Sequence, residues 1–182
     1  PVILNGAGVV IGGAIPASMA LAERLSAPGC VGYQHNDAFP GSHPLFAGPL
    51  GYNGSKAAME LIEKADVVLA LGTRLNPFST LPGYGSDYWP KGAKVIQVDI
   101  NPNRIGLTKP VTVGIVGDAK KVAEGILARL SKTAGDAGRA ERKAMIAQKK
   151  SSWAQALSSM DHEQDDPGTS WNQRARDAKP EW

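Results

Sequence analysis

The sequence predicts an α/β fold, doubly wound around a mostly parallel sheet of five or six strands, and three observations carry that prediction. Short β-branched runs alternate with helical stretches over residues 1 to 130. The strand-like runs are apolar throughout, as strands covered on both faces are. Glycine accompanies most of them at the carboxyl end, the edge at which doubly wound sheets bind ligands.

The elements follow in order. "PVILN" is the first strand and "AIPASMALAERL" the first helix, with Met19, Leu21, Ala22 and Leu25 on its apolar side. Pro16 falls in the first turn of that helix, where a missing N–H does no harm. "CVGY" is the second strand, and a long Gly- and Pro-rich loop leads from it to the helix "KAAMELIEKA", capped by Asn53 or Ser55. "VVLALG", "KVIQVDI" and "VTVGIVG" are further strands, and Asp118 caps the helix "AKKVAEGILARL". "SKTAGDAG" reads as a linker into a charged helix from about Arg139 to Met160. Ile146, Trp153, Leu157 and Met160 recur along it as a stripe that should dock on a partner surface. The tail "DHEQDDPGTSWNQRARDAKPEW" has no period and predicts an extended connector whose two tryptophans pack on something.

Composition removes several function classes. No apolar run approaches the ~18 residues that span a bilayer, which excludes a membrane protein. Net charge is +3, from 20 basic and 17 acidic residues, too weak an excess to imply nucleic acid. The basic stretch "RAERKAMIAQKK" reads as the wet face of a helix. Cys30 is the one cysteine; a buried free thiol and a reducing cytoplasm are the expectation. "PVILNGAGVV" opens without an initiator methionine or signal peptide and "DAKPEW" closes without a cap, so the sequence reads as part of a longer polypeptide.

Candidate site residues cluster at strand ends. Asn5-Gly6-Ala7-Gly8 follows the first strand, Gly72-Thr73-Arg74 the third, Asp99-Ile100-Asn101 the fourth and Gly117-Asp118 the fifth. A nucleotide across this edge would meet amides, an arginine and two carboxylates. Those glycines could equally serve only to make tight strand-to-helix turns. An NAD-type fingerprint is not met, since Ile11 stands where its third glycine belongs and no acid ends the second strand. There is no G-x-S-x-G elbow, and His35, His43 and His162 lack metal-ligand spacing, so no metal ligand is assigned. His35 and His43 could be acid–base groups or could hydrogen-bond to the loop backbone. His162, set among Asp161, Glu163, Asp165 and Asp166, reads as a solvated acidic turn in preference to a cation site.

Taken together, "FPGSHPLFAGPLGYNGSKAA", "ADVVLALGTRLN", "AKVIQVDINPNRIG" and "VGIVGDAKKV" resemble the central domain of thiamine-diphosphate-dependent enzymes of the acetolactate synthase type. The resemblance covers about residues 1 to 130 and rests on four motifs in order. It implies a Rossmann-like central domain at 1–131, with 132–182 as the helix and linker toward a pyrophosphate-binding domain. A pyrimidine-binding domain, assembly as a dimer or tetramer, and thiamine diphosphate with Mg²⁺ in the full enzyme are implied with it. Such enzymes hold the diphosphate and metal with a GDG motif and a downstream asparagine, whereas Gly117-Asp118 here precedes Ala119. The resemblance therefore implies that this stretch neither holds thiamine diphosphate nor turns over alone.

In acetolactate synthases the matching positions line an FAD cleft, which makes Gly6, Ala7, Gly8, Gly51, Tyr52, Asn53, Gly54, Gly72, Thr73, Arg74, Asp99, Asn101, Gly117 and Asp118 the candidate cofactor contacts. This chain departs from them with Asn-Gly-Ala-Gly in place of three glycines and Tyr52-Asn53 in place of Met-His. The departures favour no tightly bound FAD over a flavin or ADP-like nucleotide. Gln34, His35, Asn36 and Asp37 also depart from that family and are the candidates for recognising a sulfonate or phosphate on a substrate. An FAD-binding acetolactate synthase-like enzyme and a freestanding nucleotide-binding or scaffold module are the competing readings.

Overall fold

The computed structural model describes residues 1–164, with side-chain surroundings through Ser159. Six parallel strands form one sheet: β1 (Val2–Asn5), β2 (Gly29–Val31), β3 (Phe46–Pro49), β4 (Val67–Leu71), β5 (Lys94–Asp99) and β6 (Val113–Val116). Their spatial order is β3-β2-β1-β4-β5-β6. The helices are α1 (Ala7–Ile11), α2 (Ile15–Leu25), α3 (Lys56–Glu63), α4 (Ala119–Arg129) and α5 (Arg139–Gln164).

The chain winds outward from β1 to β3, then crosses back through α3 to β4. Right-handed crossovers in opposite directions place helices on opposite faces, so the predicted double winding is what forms. On one face α2 packs on α4, and elsewhere α3 packs on α5. Strand order reverses between β1 and β4, and at that switch point a doubly wound sheet opens a crevice at its carboxyl edge. Among the described residues no helix is long and apolar enough to cross a membrane.

Local chemistry fixes the element ends. Pro16 sits in the first turn of α2. Ser55 is the cap of α3: its Oγ accepts the Ala58 N–H at 3.3 Å and donates to the Ala47 carbonyl at 3.0 Å. Asn53 is not the cap; it sits in the preceding turn in a left-handed conformation, φ +60°. Asp118 Oδ1 accepts the Lys121 N–H at 3.0 Å and starts α4.

The long loop hides the sixth strand. Phe46–Pro49 pairs with β2 at the sheet edge, where a proline at the strand's end is tolerated. Before it, the chain wraps Phe39, fully buried, which stacks on Phe46 at 6.2 Å and meets the His43 ring edge-on at 5.2 Å. The loop is thus a small satellite core. His43 belongs to that core: its Nδ1 accepts the Leu45 N–H at 3.2 Å while Nε2 stands 3.2 Å from Glu23 Oε1.

The stripe on α5 meets the chain's own surface. Ile146 is buried, Trp153 packs edge-on against Tyr84 at 5.4 Å, and Lys149 pairs with Glu60 of α3 at 2.6 Å, while Leu157 is exposed. Side chains from Met160 onward, including that of His162, and the segment 165–182 with Asp165, Asp166, Trp171 and Trp182, lie outside the described residues.

Cys30 lies in the middle of β2, and burial pushes its thiol up to about 12. A thiol in that state is protonated and unreactive at neutral pH. Iodoacetamide should therefore leave Cys30 unmodified in the folded chain and alkylate it fully in urea, as read by intact mass; rapid native labelling would contradict the packing of β2.

Candidate functional site

A cavity of about 440 Å³ opens over the carboxyl ends of β1, β4, β5 and β6 and the turn after β2. It brings together Gly6, Ala7 and Gly8 from the first turn, Gly72, Thr73 and Arg74 from the turn after β4, and Asp99 from the end of β5. Gly117 and Asp118 close it at the start of α4, and Gln34 and His35 flank it from the loop. Gln34 is held in a left-handed conformation, φ +71°, which is uncommon for a residue with a side chain and often found beside functional sites.

Seven other candidate residues do not line this cavity. Asn36 and Asp37 sit in a 3-10 turn, exposed to solvent. Gly51, Tyr52, Asn53 and Gly54 form a turn one layer behind, with the Tyr52 N–H donating to the Phe78 carbonyl at 3.2 Å and the Tyr84 hydroxyl donating to the Gly54 carbonyl at 3.1 Å. Asn101 shapes the site from beneath. Its N–H donates to Asp99 Oδ1 at 2.9 Å and its side-chain oxygen accepts from Asn103 N–H at 3.0 Å, which caps the short turn that presents Arg104.

Sequence reasoning missed Arg104, Tyr33 and Ser79, all of which line the cavity. The Tyr33 N–H donates to Ser79 Oγ at 2.8 Å and its ring stacks on Phe78 at 5.7 Å, making an aromatic wall. Arg104 was discoverable in principle, because Asn-Pro after a strand signals a turn, and the turn is what aims the arginine.

The glycines at the switch point meet backbone before they meet any ligand. A Cβ on Gly6 would lie 2.5 Å from Thr73 Cβ, one on Gly8 would lie 2.8 Å from Gly72 Cα, and one on Gly72 would lie 2.8 Å from Gly8 Cα. Their amides are engaged as well: Gly6 N–H donates to Leu71 O at 3.1 Å, Gly8 N–H to Gly72 O at 2.8 Å and Gly72 N–H to Val98 O at 2.9 Å. The turns after β1 and β4 are thus locked to each other. The cationic residues that line the cavity are Arg74 and Arg104, beside the carboxylates of Asp99 and Asp118, and a phosphate cradle of free amides is not what these glycines build.

A diphosphate held through Mg²⁺ needs several oxygen ligands in near-octahedral array. Asp99 and Asp118 each already accept a backbone N–H. Among the described residues no group of three or more His, Cys, Asp or Glu side chains could hold a metal ion. Among the described residues, the two carboxylates that line the cavity are fewer oxygen ligands than a magnesium–diphosphate centre needs.

The fold is a doubly wound α/β domain with a cleft at its switch point, and comparison with known proteins places it. A family model described as "Thiamine pyrophosphate enzyme, central domain" matches residues 1–126. The chain belongs to that family of thiamine pyrophosphate enzymes as a central domain. It is 81% identical over all 182 residues to a sulfoacetaldehyde acetyltransferase of Roseovarius nubinhibens, of which it covers 30%, and 78% identical to that of Rhodobacter capsulatus, of which it covers 31%. The chain therefore spans about a third of the length of these relatives. A crystal structure described as a candidate thiamin diphosphate-dependent enzyme from Mycobacterium smegmatis is similar over 72% of this chain and 25% of that one, with 29% identity and a TM-score of 0.58.

Proposed function

We propose that this chain is the central part of a sulfoacetaldehyde acetyltransferase, an enzyme converting sulfoacetaldehyde and phosphate to acetyl phosphate and sulfite. The observation that carries the proposal is identity of 81% along the whole chain to a protein of that name. The carbon chemistry of such a reaction belongs to thiamine diphosphate. Its diphosphate and Mg²⁺ would be held outside this stretch, by the pyrimidine- and pyrophosphate-binding domains that make up the rest of the polypeptide. In this reading residues 1–131 are the central domain, 132–182 run toward the pyrophosphate-binding domain, and the whole enzyme works as a cytoplasmic dimer or tetramer.

Within that frame Gln34 and His35 are the substrate or phosphate contacts, because the cavity edge is where an anion would lie near Arg74 and Arg104. Tightly bound FAD is not expected: the Gly6 and Gly8 amides are taken up by the Leu71 and Gly72 carbonyls, and Tyr52 and Asn53 do not line the cavity.

The full-length protein, supplied with thiamine diphosphate, Mg²⁺, sulfoacetaldehyde and phosphate, should release sulfite and acetyl phosphate in equal amounts. Absence of sulfite, with acetolactate formed from pyruvate and flavin absorbance in the purified protein, would replace this reading by that of an FAD-binding acetolactate synthase-like enzyme. His35→Ala should raise KM for sulfoacetaldehyde or phosphate by roughly three- to tenfold with little change in kcat, the mark of a lost binding contact. Asn36→Ala, outside the cavity, should leave both unchanged; equal kinetics for the two variants would reduce the loop to architecture.

A further inference from the structure

Gln97 lies inside β5 and is 1% exposed. A carboxamide brings two donated protons and an acceptor oxygen into the sheet, and leaving them unpaired there would be costly. All are used. Nε2 donates to the Thr73 carbonyl at 3.1 Å and to the Arg104 carbonyl at 3.1 Å, while Oε1 accepts the Gly106 N–H at 2.8 Å. Two carbonyls on one side and an N–H on the other fix which end of the amide is which. The two segments it joins are the turns after β4 and β5, and each brings one arginine to the cavity, Arg74 and Arg104. Neither guanidinium has an ion-pair partner among the described residues. The Asp99 and Asp118 carboxylates line the same cavity but are each bonded to a backbone N–H and pair with neither arginine, which leaves Arg74 and Arg104 as the cationic groups that an incoming anion would meet.

We infer that Gln97 is a positioning residue: its carboxamide clamps the Thr73–Arg74 turn to the Arg104–Gly106 turn, so that both guanidiniums serve one phosphate-bearing ligand. The clamp follows from the hydrogen bonds alone, whereas the ligand half rests on reading the cavity as an anion site. Inorganic phosphate and a nucleoside diphosphate share the recognised chemistry, and titration separates them.

The experiment compares full-length wild-type protein with Gln97→Met, which keeps the volume and deletes all three bonds. Amide hydrogen exchange within 72–76 and 101–108 should rise roughly tenfold or more in Gln97→Met, because buried carbonyls lose their donors, while β1 and β4 stay protected. Calorimetric titration with inorganic phosphate and, separately, with ADP should show Kd raised roughly tenfold for whichever anion the wild type binds. Unchanged exchange in both turns would overturn the clamp. Faster exchange with unchanged Kd would overturn its role in binding. Wild-type protein that binds neither anion would overturn the ligand half together with the anion reading of the cavity, and the exchange result would still decide the clamp. Should Gln97→Met fail to fold, Gln97→Glu keeps the shape and the acceptor for Gly106 N–H, and loosening of the Thr73 and Arg104 sides is then the expected result.

Discussion

Gly51→Ala should destabilise the fold by about 3 kcal/mol or more, read as a fall in the urea midpoint of the 182-residue chain with an unchanged slope. Gly51 has φ +98°, a conformation that side chains rarely adopt, and a Cβ there would lie 1.8 Å from the Phe78 carbonyl oxygen and 3.0 Å from Ser79 Cα. Nothing flexible is in the way that could yield. The Phe78 carbonyl is held by the Tyr52 N–H, and the Ser79 carbonyl accepts the buried Tyr88 hydroxyl at 3.1 Å. Any displacement therefore passes through Ser79 to Tyr33 and the aromatic wall of the cavity. Gly85 is the matched control. Its φ is +74°, yet nothing lies within 4 Å of its Cβ position, so Gly85→Ala should show the conformational part alone, about 1 kcal/mol. Equal losses for the two variants would show that the 51–54 turn does not press on the 77–79 turn as described.

The same turn shows where sequence reasoning stops. Glycines in "LGYNGS" and "NGAG" read naturally as room for a ligand, and at Gly6, Gly8, Gly51 and Gly72 the room is taken by the protein's own backbone. A sequence shows that a side chain is excluded; it does not show by what. Strands such as Val67–Leu71 were legible because burial on both faces demands an unbroken apolar run. Phe46–Pro49 was not, since an edge strand pairs on one side only and tolerates glycine and proline. His35 and His43 carried equal promise in sequence, and the tertiary packing separates them: His35 faces the cavity, and His43 joins Phe39, Leu45 and Glu23 on the far side of the loop. Arg104 escaped notice because the Asn101–Pro102 signal announces only a turn, and the tie from that turn to the cavity runs through Gln97, which neither period nor composition marks.

Asn5 carries the second large effect, because it stands at the switch point with its side chain fully buried. Its Nδ2 donates to the Cys30 carbonyl at 3.1 Å, and its Oδ1 accepts the Ser18 hydroxyl at 2.6 Å, so one carboxamide ties β1 to β2 and to α2 just before the turn that opens the cavity. Asn5→Leu keeps the volume and strands the Ser18 hydroxyl in an apolar interior while the Cys30 carbonyl loses a donor; a loss of about 2 to 4 kcal/mol is expected. Ser18→Ala on top of it should add little, since the hydroxyl then has no partner left to lose. Strictly additive losses in that double-mutant cycle would show that the two side chains are not coupled. Asn5→Asp separates charge from shape. One carboxylate oxygen can still accept from Ser18, but the other faces the Cys30 carbonyl and can bond to it only when protonated, so burial and that carbonyl both raise the folded-state pKa above the unfolded value of about 3.9. The folded state then binds more protons than the unfolded one across the interval between the two values, and stability falls as pH rises through it. The deficit of Asn5→Asp relative to wild type should accordingly be smallest in acid and grow toward neutral pH. A deficit that is flat with pH, or that shrinks toward neutrality, would mean that water or a cation reaches this side chain and that the switch point is open beneath the cavity floor.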